Sequence, residues 1–510
     1  MANRRDAPHA PHRFRLTTVL LLAGLTVAAI LIHGYHFAFD DQSVYLPAIK
    51  KSLDPGLFPF DSAFFLLQTR LSCFVDAVAA SIRLTGLPVD WALLLWHFAS
   101  VCLLLAGCWR IARRCFPSPG GVRGSLLLVT VLLTLPVAGT FIVLAEPYLH
   151  TRALASGFLL FALAGILEKR FTAAIWLLLA ALTHPTIALL GLWHLAVQAW
   201  PVRTEKSPGA PVLAVVVLAL ASFPAGILAR WFADPSDAAW RAALSGRRYL
   251  FPAQWTWYEL LGAFAPLVIL FVYARIARRH GLDELARINR RLAFSGSIGV
   301  AAGLLVGLTP ALVPLVPLEP LRTLHLIYLF MVLSTGGMCA ELLPRPWKLA
   351  SAALLVPLAL GMFLAQRVDL DWSAHIEWPG ISPRNDWQQA FAWIRVHTPR
   401  NALFAMNPDF MRLEGENEHG FRALAERGQL AESAKDRAVS RNLPGLAWEW
   451  RDQVRAQQGI EDFDAAQFSD LRRRYGVNWV LLRKSAGRAA SLVNLDCPYE
   501  NATLRVCRCP

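Results

Sequence analysis

The chain has 510 residues, 55% hydrophobic and only 17% charged, with a formal net charge of +14 and a mean hydropathy of +0.41. A soluble protein of this length carries more charge, so composition argues against one and for a polytopic membrane protein. The basic residues fall in short runs between apolar stretches, as in "ARIARRHGLDELARINRR". That is the pattern of cytoplasmic loops rather than of a nucleic-acid surface, and no nucleic-acid partner is expected.

In chain order, spanning segments of roughly 17–25 apolar residues are expected near 16–32, 91–109, 124–145, 150–167, 171–184, 186–201, 210–229, 257–274, 292–313, 323–340 and 347–365. These are about eleven transmembrane helices. No small-residue cleavage pattern follows Ile32, so the first is expected to be an uncleaved anchor. The fifth and sixth are divided by "THPT" and are expected to turn at Pro185. The segment 64–84, "FFLLQTRLSCFVDAVAASIRL", is long enough to span but contains Arg70, Asp76 and Arg83. A helix lying in the interface has this composition. With that segment outside, alternate loops on the N-terminal side hold about twenty Lys and Arg and the opposite loops about ten. The expected topology therefore has a cytoplasmic N-terminus, an external loop 33–90 and an extracytoplasmic C-terminal end in the cell (inner) membrane.

Residues 1–365 read as the all-α membrane domain and 366–510 as a small soluble α/β domain. In the latter, "DWQQAFAWIRVHTP" and "AAQFSDLRRRY" have helical patterns, each followed by a strand pattern, "NALFAMNP" and "VNWVLLRK". Three cysteines, Cys497, Cys507 and Cys509, crowd the end of the chain. In an oxidising compartment they are expected to form one disulfide, Cys497 with Cys507 or Cys509; zinc binding or free thiols are the alternatives.

Ionisable residues at the mouths of membrane spans are costly and point to function. On the expected external side stand Asp40 and Asp41 in "FAFDDQSVY", Glu146, His150 and Arg152 in "AEPYLHTRAL", and His184 in "LTHPT". Arg247 and Arg248 in "SGRRYLF", then Glu319, Arg322 and His325 in "PLEPLRTLHL", follow on the same side. The bland alternatives are an acid pair capping a helix from about Ser43, arginines snorkelling at the interface, and His184 bonding a free carbonyl at a helix break.

The stretch "FDDQSVYLPAIKKSLDPGLFPFD" resembles the first external loop of the GT-C glycosyltransferases, polytopic enzymes that use polyprenyl-phosphate-linked sugars. Asp41 and Tyr45 keep the acid-to-tyrosine offset of that superfamily, and "GLFPFD" matches a later part of its pattern loosely. The layout is also similar to that of uncharacterised bacterial membrane proteins of the same architecture. The resemblance implies transfer of a hexosyl or pentosyl group to an extracytoplasmic glycan, lipid or protein. Asp41 is then the expected base, with Asp40 as alternative or orienter. Arg152, Arg247, Arg248 and Arg322 are the expected donor-phosphate ligands, with Tyr45, Glu146, His150, His184 and His325 in support. No cofactor is expected. A divalent metal at the aspartates, with His33 and His36 nearby, is the alternative, although no second acidic motif stands out. The rival reading is a non-catalytic polytopic protein, either a scaffold or a lipid-linked-glycan transporter.

Overall fold

The computed structural model describes residues 16–200, 234, 236–383, 385–413, 415–484 and 495–510. Among these, six helices are long and apolar enough to cross a membrane: Leu16–His33, Val89–Cys115, Trp257–Arg279, Asp283–Leu308, Pro320–Leu342 and Arg345–Asp369. The chain is a multi-pass membrane protein. The count of eleven spans is not reproduced, for reasons that differ along the chain.

The segment expected to span at 124–145 is helical only over Pro119–Val131. Pro136 then disfavours helical backbone at the residue before it, and the chain turns back through an antiparallel bridge between Pro136 and Val143. The next three apolar helices, Thr151–Leu167, Thr172–Thr183 and Pro185–Ala199, are present but short. At 1.5 Å per residue even the longest falls short of a hydrocarbon core of about 30 Å. The break between the last two comes at His184, in extended backbone just before Pro185. The expected span 210–229 lies outside the described residues.

The interfacial segment is not one helix. It forms Ala63–Thr69 and Phe74–Thr85, bent by 95°. At the bend the Cys73 N–H leaves the helical ladder and donates to the Leu182 carbonyl, 2.8 Å away. Phe64, Phe65, Val78 and Ala79 on these helices are buried in one cluster with Val44 and Ile49 of the helix Gln42–Leu53. Ala423, Val439 and Trp450, from the C-terminal part of the chain, belong to the same cluster.

That C-terminal part holds a five-stranded sheet: β1 (Leu403–Met406), β2 (Gly428–Gln429), β3 (Trp479–Arg483), β4 (Tyr499–Glu500) and β5 (Leu504–Arg508), in the order β2-β1-β3-β5-β4. The β1 strand runs parallel to β2 and β3, while β5 is antiparallel to β3 and β4. The helices read from the sequence are Asp386–His397 and Ala465–Tyr475, preceding β1 and β3. Each has its N-cap: Asn385 accepts from the Trp387 and Gln388 amides, and Asp464 forms a capping box with Gln467. Cys497 is bonded to Cys507, and Cys509 is a buried free thiol. The other free cysteines are Cys73, Cys102, Cys108, Cys115 and Cys339. Alkylation of the denatured, unreduced protein should therefore label six cysteines, and mapping by mass spectrometry should leave only Cys497 and Cys507 unmodified. Labelling of Cys497 would refute the pairing.

Candidate active site

The acid pair sits in a loop that the C-terminal part grips on both sides. The Tyr35 N–H donates to the His375 carbonyl (3.0 Å) and the Glu377 N–H to the Tyr35 carbonyl (2.8 Å). Gly420 donates to Ala38 (2.9 Å) and Asp40 to Glu418 (3.0 Å) through their backbones. Gly34 is needed here, because its φ is +86° and a Cβ would lie 2.4 Å from the His375 carbonyl oxygen. Ala38 and Asp40 also have left-handed backbones, φ 61° and 46°, each costing on the order of 1–2 kcal/mol relative to an ordinary turn. Such backbone persists only where the surroundings over-determine it, and the paired hydrogen bonds do so.

Asp41 occupies the N-cap position of the helix Gln42–Leu53, yet its side chain makes no capping hydrogen bond. Capping is therefore not its role. Its Oδ2 instead lies 2.9 Å from His150 Nε2, and its Oδ1 accepts from Lys435 Nζ at 2.7 Å. Asp40 accepts from the Tyr148 hydroxyl at 2.7 Å through Oδ2, and its Oδ1 is ion-paired with the same Lys435. His150 Nδ1 accepts from the Arg152 N–H (2.9 Å) at the start of the helix Thr151–Leu167. In the neutral ring that leaves the proton on Nε2, which therefore donates to Asp41. Burial pushes the Asp41 carboxyl up, but Lys435, the His150 hydrogen bond and Arg152 together hold it well below the usual range. Asp41 is thus ionised throughout the physiological pH range.

A cavity of about 1110 Å³ opens beside this pair. Asp40, Asp41, Tyr45, Glu146, His150, Arg152, His184, Arg247, Arg248, Glu319 and Arg322 all line it, so loops scattered over nearly 300 positions of sequence are brought to one space. His325 lies behind the wall, with Nε2 2.9 Å from the Leu144 carbonyl oxygen and Nδ1 3.4 Å from Ser156 Oγ. Cys507 lies in β5, with Cys497 disulfide-bonded to it and Cys509 just past the strand, and none of the three lines the cavity. Tyr45 places its hydroxyl 3.4 Å from Thr151 Oγ1 and its ring edge against His150. His184 accepts from the Ile187 N–H at 3.4 Å, so at the helix break it caps the start of the next helix rather than bonding a free carbonyl, while its ring stacks near His150 at 6.1 Å.

All four expected phosphate ligands already carry partners. Arg152 is paired with Glu146, Arg248 with Glu259, and Arg322 with Glu319. Arg247 donates to the carbonyls of Ser433 (3.2 Å) and Ala434 (2.8 Å). One wall of the cavity is apolar, formed by Leu71, Leu178, Ala181 and Leu182. Leu178 and Leu182, on the helix Thr172–Thr183, are 49% and 41% exposed, so this wall continues onto the apolar outer surface of the bundle.

Sequence reading missed several charged cavity residues, among them Lys435, Arg441 and Glu418. Arg441 bonds Glu319 at 2.9 Å and the Tyr249 hydroxyl at 2.5 Å. Lys435 lies 394 positions from Asp41, and its local sequence, "ESAKDRAVSRN", is that of an ordinary charged helix. Nothing short of the fold signals it.

No family model and no curated protein matches the chain. Among solved structures it is similar to an oligosaccharyltransferase of Archaeoglobus fulgidus in complex with zinc and sulfate, at 12% identity and a TM-score of 0.46, over 91% of this chain and 67% of that one. It is also similar to ArnT of Cupriavidus metallidurans bound to undecaprenyl phosphate, at 12% identity and a TM-score of 0.43, over 98% and 99% of the two chains.

Glu418 yields a pH test. Burial, then the neighbouring Asp40 charge, and more weakly Asp369, push its carboxyl from 4.5 to about 7 against the opposing pull of Lys435. A raised carboxyl pKa means that the folded state holds the proton longer. Stability is therefore lost as pH climbs through this window and is level above it. Glu418→Gln should melt like wild type near pH 4.5 and be more stable at about pH 8, by about 1–3 kcal/mol. Melting curves in detergent at the two pH values check this, and an equal shift at both would contradict it.

Proposed function

We propose that the chain is an integral-membrane glycosyltransferase of the GT-C type. It moves a sugar from a polyprenyl-phosphate donor in the outer leaflet to a hydroxyl of an extracytoplasmic acceptor. The observation that carries this reading is Asp41, a helix-start carboxylate that caps nothing and faces a large polar cavity with an apolar wall. That wall is where a polyprenyl tail enters from the bilayer, leaving the phosphate and sugar among the charges.

In the proposed reaction the acceptor oxygen attacks the anomeric carbon. Its proton passes to an Asp41 oxygen, and the bond from the anomeric carbon to the phosphate oxygen breaks, leaving the added negative charge on the polyprenyl phosphate. Asp40 orients its neighbour through their shared lysine. Arg152, 3.9 Å from Asp41, and Arg322 and Arg247 supply the positive field for the departing phosphate. Glu146 and Glu319 hold the Arg152 and Arg322 guanidinium groups in place, backbone carbonyls hold Arg247, and Glu319, shared between Arg322 and Arg441, leaves the local balance positive.

The orientation is part of the proposal. Loops from 34–42, 134–150, 246–259 and 317–322 line one cavity with residues 411–442, so all belong to one side of the membrane. Ser118 lies just before the helix Pro119–Val131, whose other end leads to Thr134 in that cavity. Reporter fusions at Ser118 and Ser382 should therefore lie on opposite sides, cytoplasmic and external respectively.

Asp41→Asn keeps the side-chain shape but cannot take the proton. It should reach wild-type membrane levels while transfer falls by about 10²–10⁴-fold, with Asp40→Asn milder and Arg322→Ala weakening donor use. Envelope glycolipids and glycans compared by mass spectrometry between cells with wild type, with Asp41→Asn and without the chain should show one product lost from the latter two. A product retained in Asp41→Asn at wild-type level would remove Asp41 as the base. An unchanged profile without the chain would instead favour the non-catalytic scaffold.

A further inference from the structure

The lysine between the two aspartates is placed against the preference of its own helix. Lys435 is the first residue of the helix Lys435–Asn442, where the exposed N–H groups and the helix dipole favour an anion and disfavour a cation. Glu432 supplies that anion, accepting from the Lys435 and Asp436 amides at 2.5 and 2.6 Å. The lysine side chain, 15% exposed, turns away and puts Nζ onto Oδ1 of both Asp40 and Asp41. The local cost is therefore offset by the acid pair.

The pair is arranged around one point. Adjacent side chains ordinarily diverge, but the left-handed Asp40 (φ 46°) followed by a helical Asp41 (φ −66°) brings their Oδ1 atoms to a common partner. Each Oδ2 is held by a separate partner, the Tyr148 hydroxyl for Asp40 and His150 Nε2 for Asp41. Two carboxylates, each with one oxygen anchored and the other aimed at a shared cation, make a site for a small hard ion. Magnesium and manganese are commonly held by one or two carboxylates, with waters and phosphate completing the shell. Arg152 does not fill this point, since it reaches only Asp41, at 3.9 Å, and is committed to Glu146.

We propose that Lys435 fills, with an ammonium carried by the chain itself, the cation position between Asp40 and Asp41, excluding a divalent ion and tying the acid pair to the C-terminal part of the protein. Among the described residues no group of three or more His, Cys, Asp or Glu side chains is placed to hold a metal. Two carboxylates alone cannot retain a divalent ion against a covalently tethered ammonium a few ångströms away. Removing the ammonium opens the position.

Manganese binding to the purified full chain tests this, read as loss of the free-ion signal in electron paramagnetic resonance. Because this readout is independent of transfer, it stands or falls separately from the proposed reaction. Lys435→Ala should bind one Mn²⁺ at least about 10-fold more tightly than wild type, since the like charge beside the ion is gone. Lys435→Ala combined with Asp41→Asn should lose that binding. Lys435→Gln, which keeps most of the side-chain volume, provides the same reading if the alanine variant does not fold, and melting curves establish which variants are folded. Equal Mn²⁺ affinity in wild type and the folded Lys435 variants, or no binding in either, overturns the proposal. Binding that survives Asp41→Asn also overturns it, because the ion then sits elsewhere.

Discussion

Everything at the candidate site depends on the backbone clamp around residues 34–42. That loop leaves the first spanning helix without forming regular structure, includes two non-glycine residues in left-handed backbone, and ends in two adjacent carboxylates. Left alone it would relax. It is held because Tyr35 bridges to Ile376 and Phe39 to His419, so segments more than three hundred residues away act as its neighbouring strands. Glu377 is the hub of the clamp. It accepts from the Phe37 amide, Ser373, Gln388 and His419, at 2.6–3.0 Å. Burial would push this carboxyl up, but His419, His36 and those donors hold it far below the usual range, so the hub stays charged and the loop stays fixed.

A buried charge is tolerated only with partners, because removing it from water costs several kcal/mol that pairing and hydrogen bonds must offset. The cavity follows that rule throughout: acid and base alternate as Glu146, Arg152, Asp41, Lys435, Asp40 on one side and Arg322, Glu319, Arg441 on the other. Such a network has a chemical consequence beyond stability. Each guanidinium or ammonium is fixed in direction before any ligand arrives, so an anion entering the cavity meets oriented donors and not mobile ones. Preorganisation of this kind, in a space partly shielded from water, is what makes fixed charge effective in a transition state.

The sequence was most informative where a residue violated an expectation of its surroundings. Asp40 and Asp41 at the mouth of an apolar run, Arg152 one residue into an apolar helix, and Arg322 before another are costly placements, and all line the cavity. Span lengths were less legible. Hydropathy cannot see that Pro136 turns the chain back at 132–145, nor that the Cys73 amide leaves its helix to reach Leu182, because both segments remain apolar in either conformation. His325, expected in a supporting role, lies behind the cavity wall. It shares the loop of Arg322 but lies one helical turn further on, where it satisfies the Leu144 carbonyl. Lys435 and Glu418 were invisible because nothing is unusual about charged residues in a polar, soluble segment; only tertiary placement makes them costly.

The two parts of the chain are interlocked by an exchange of cations. The first loop carries lysines of its own, at 50 and 51, nearer along the chain to Asp40 and Asp41 than Lys435 is. Neither pairs with the aspartates. Lys51 donates to the Leu57 carbonyl at 2.6 Å, closing its own turn. Lys50 crosses to the C-terminal part, bonding Glu426 at 2.6 Å and the Ala423 carbonyl at 2.8 Å, while Lys435 crosses in the opposite direction to the aspartates. The helix Gln42–Leu53 explains the difference, because a lysine two turns along stands about 12 Å of helix rise beyond the start where the carboxylates converge. The cation for the acid pair therefore had to come from another segment. Because it comes from the C-terminal part, the charge state of the site is set by the docking of that part, and the shared core of Val44, Phe64, Val439 and Trp450 keeps it docked. The sheet-bearing end of the chain is thus not an appendage to the membrane helices but one wall of the cavity.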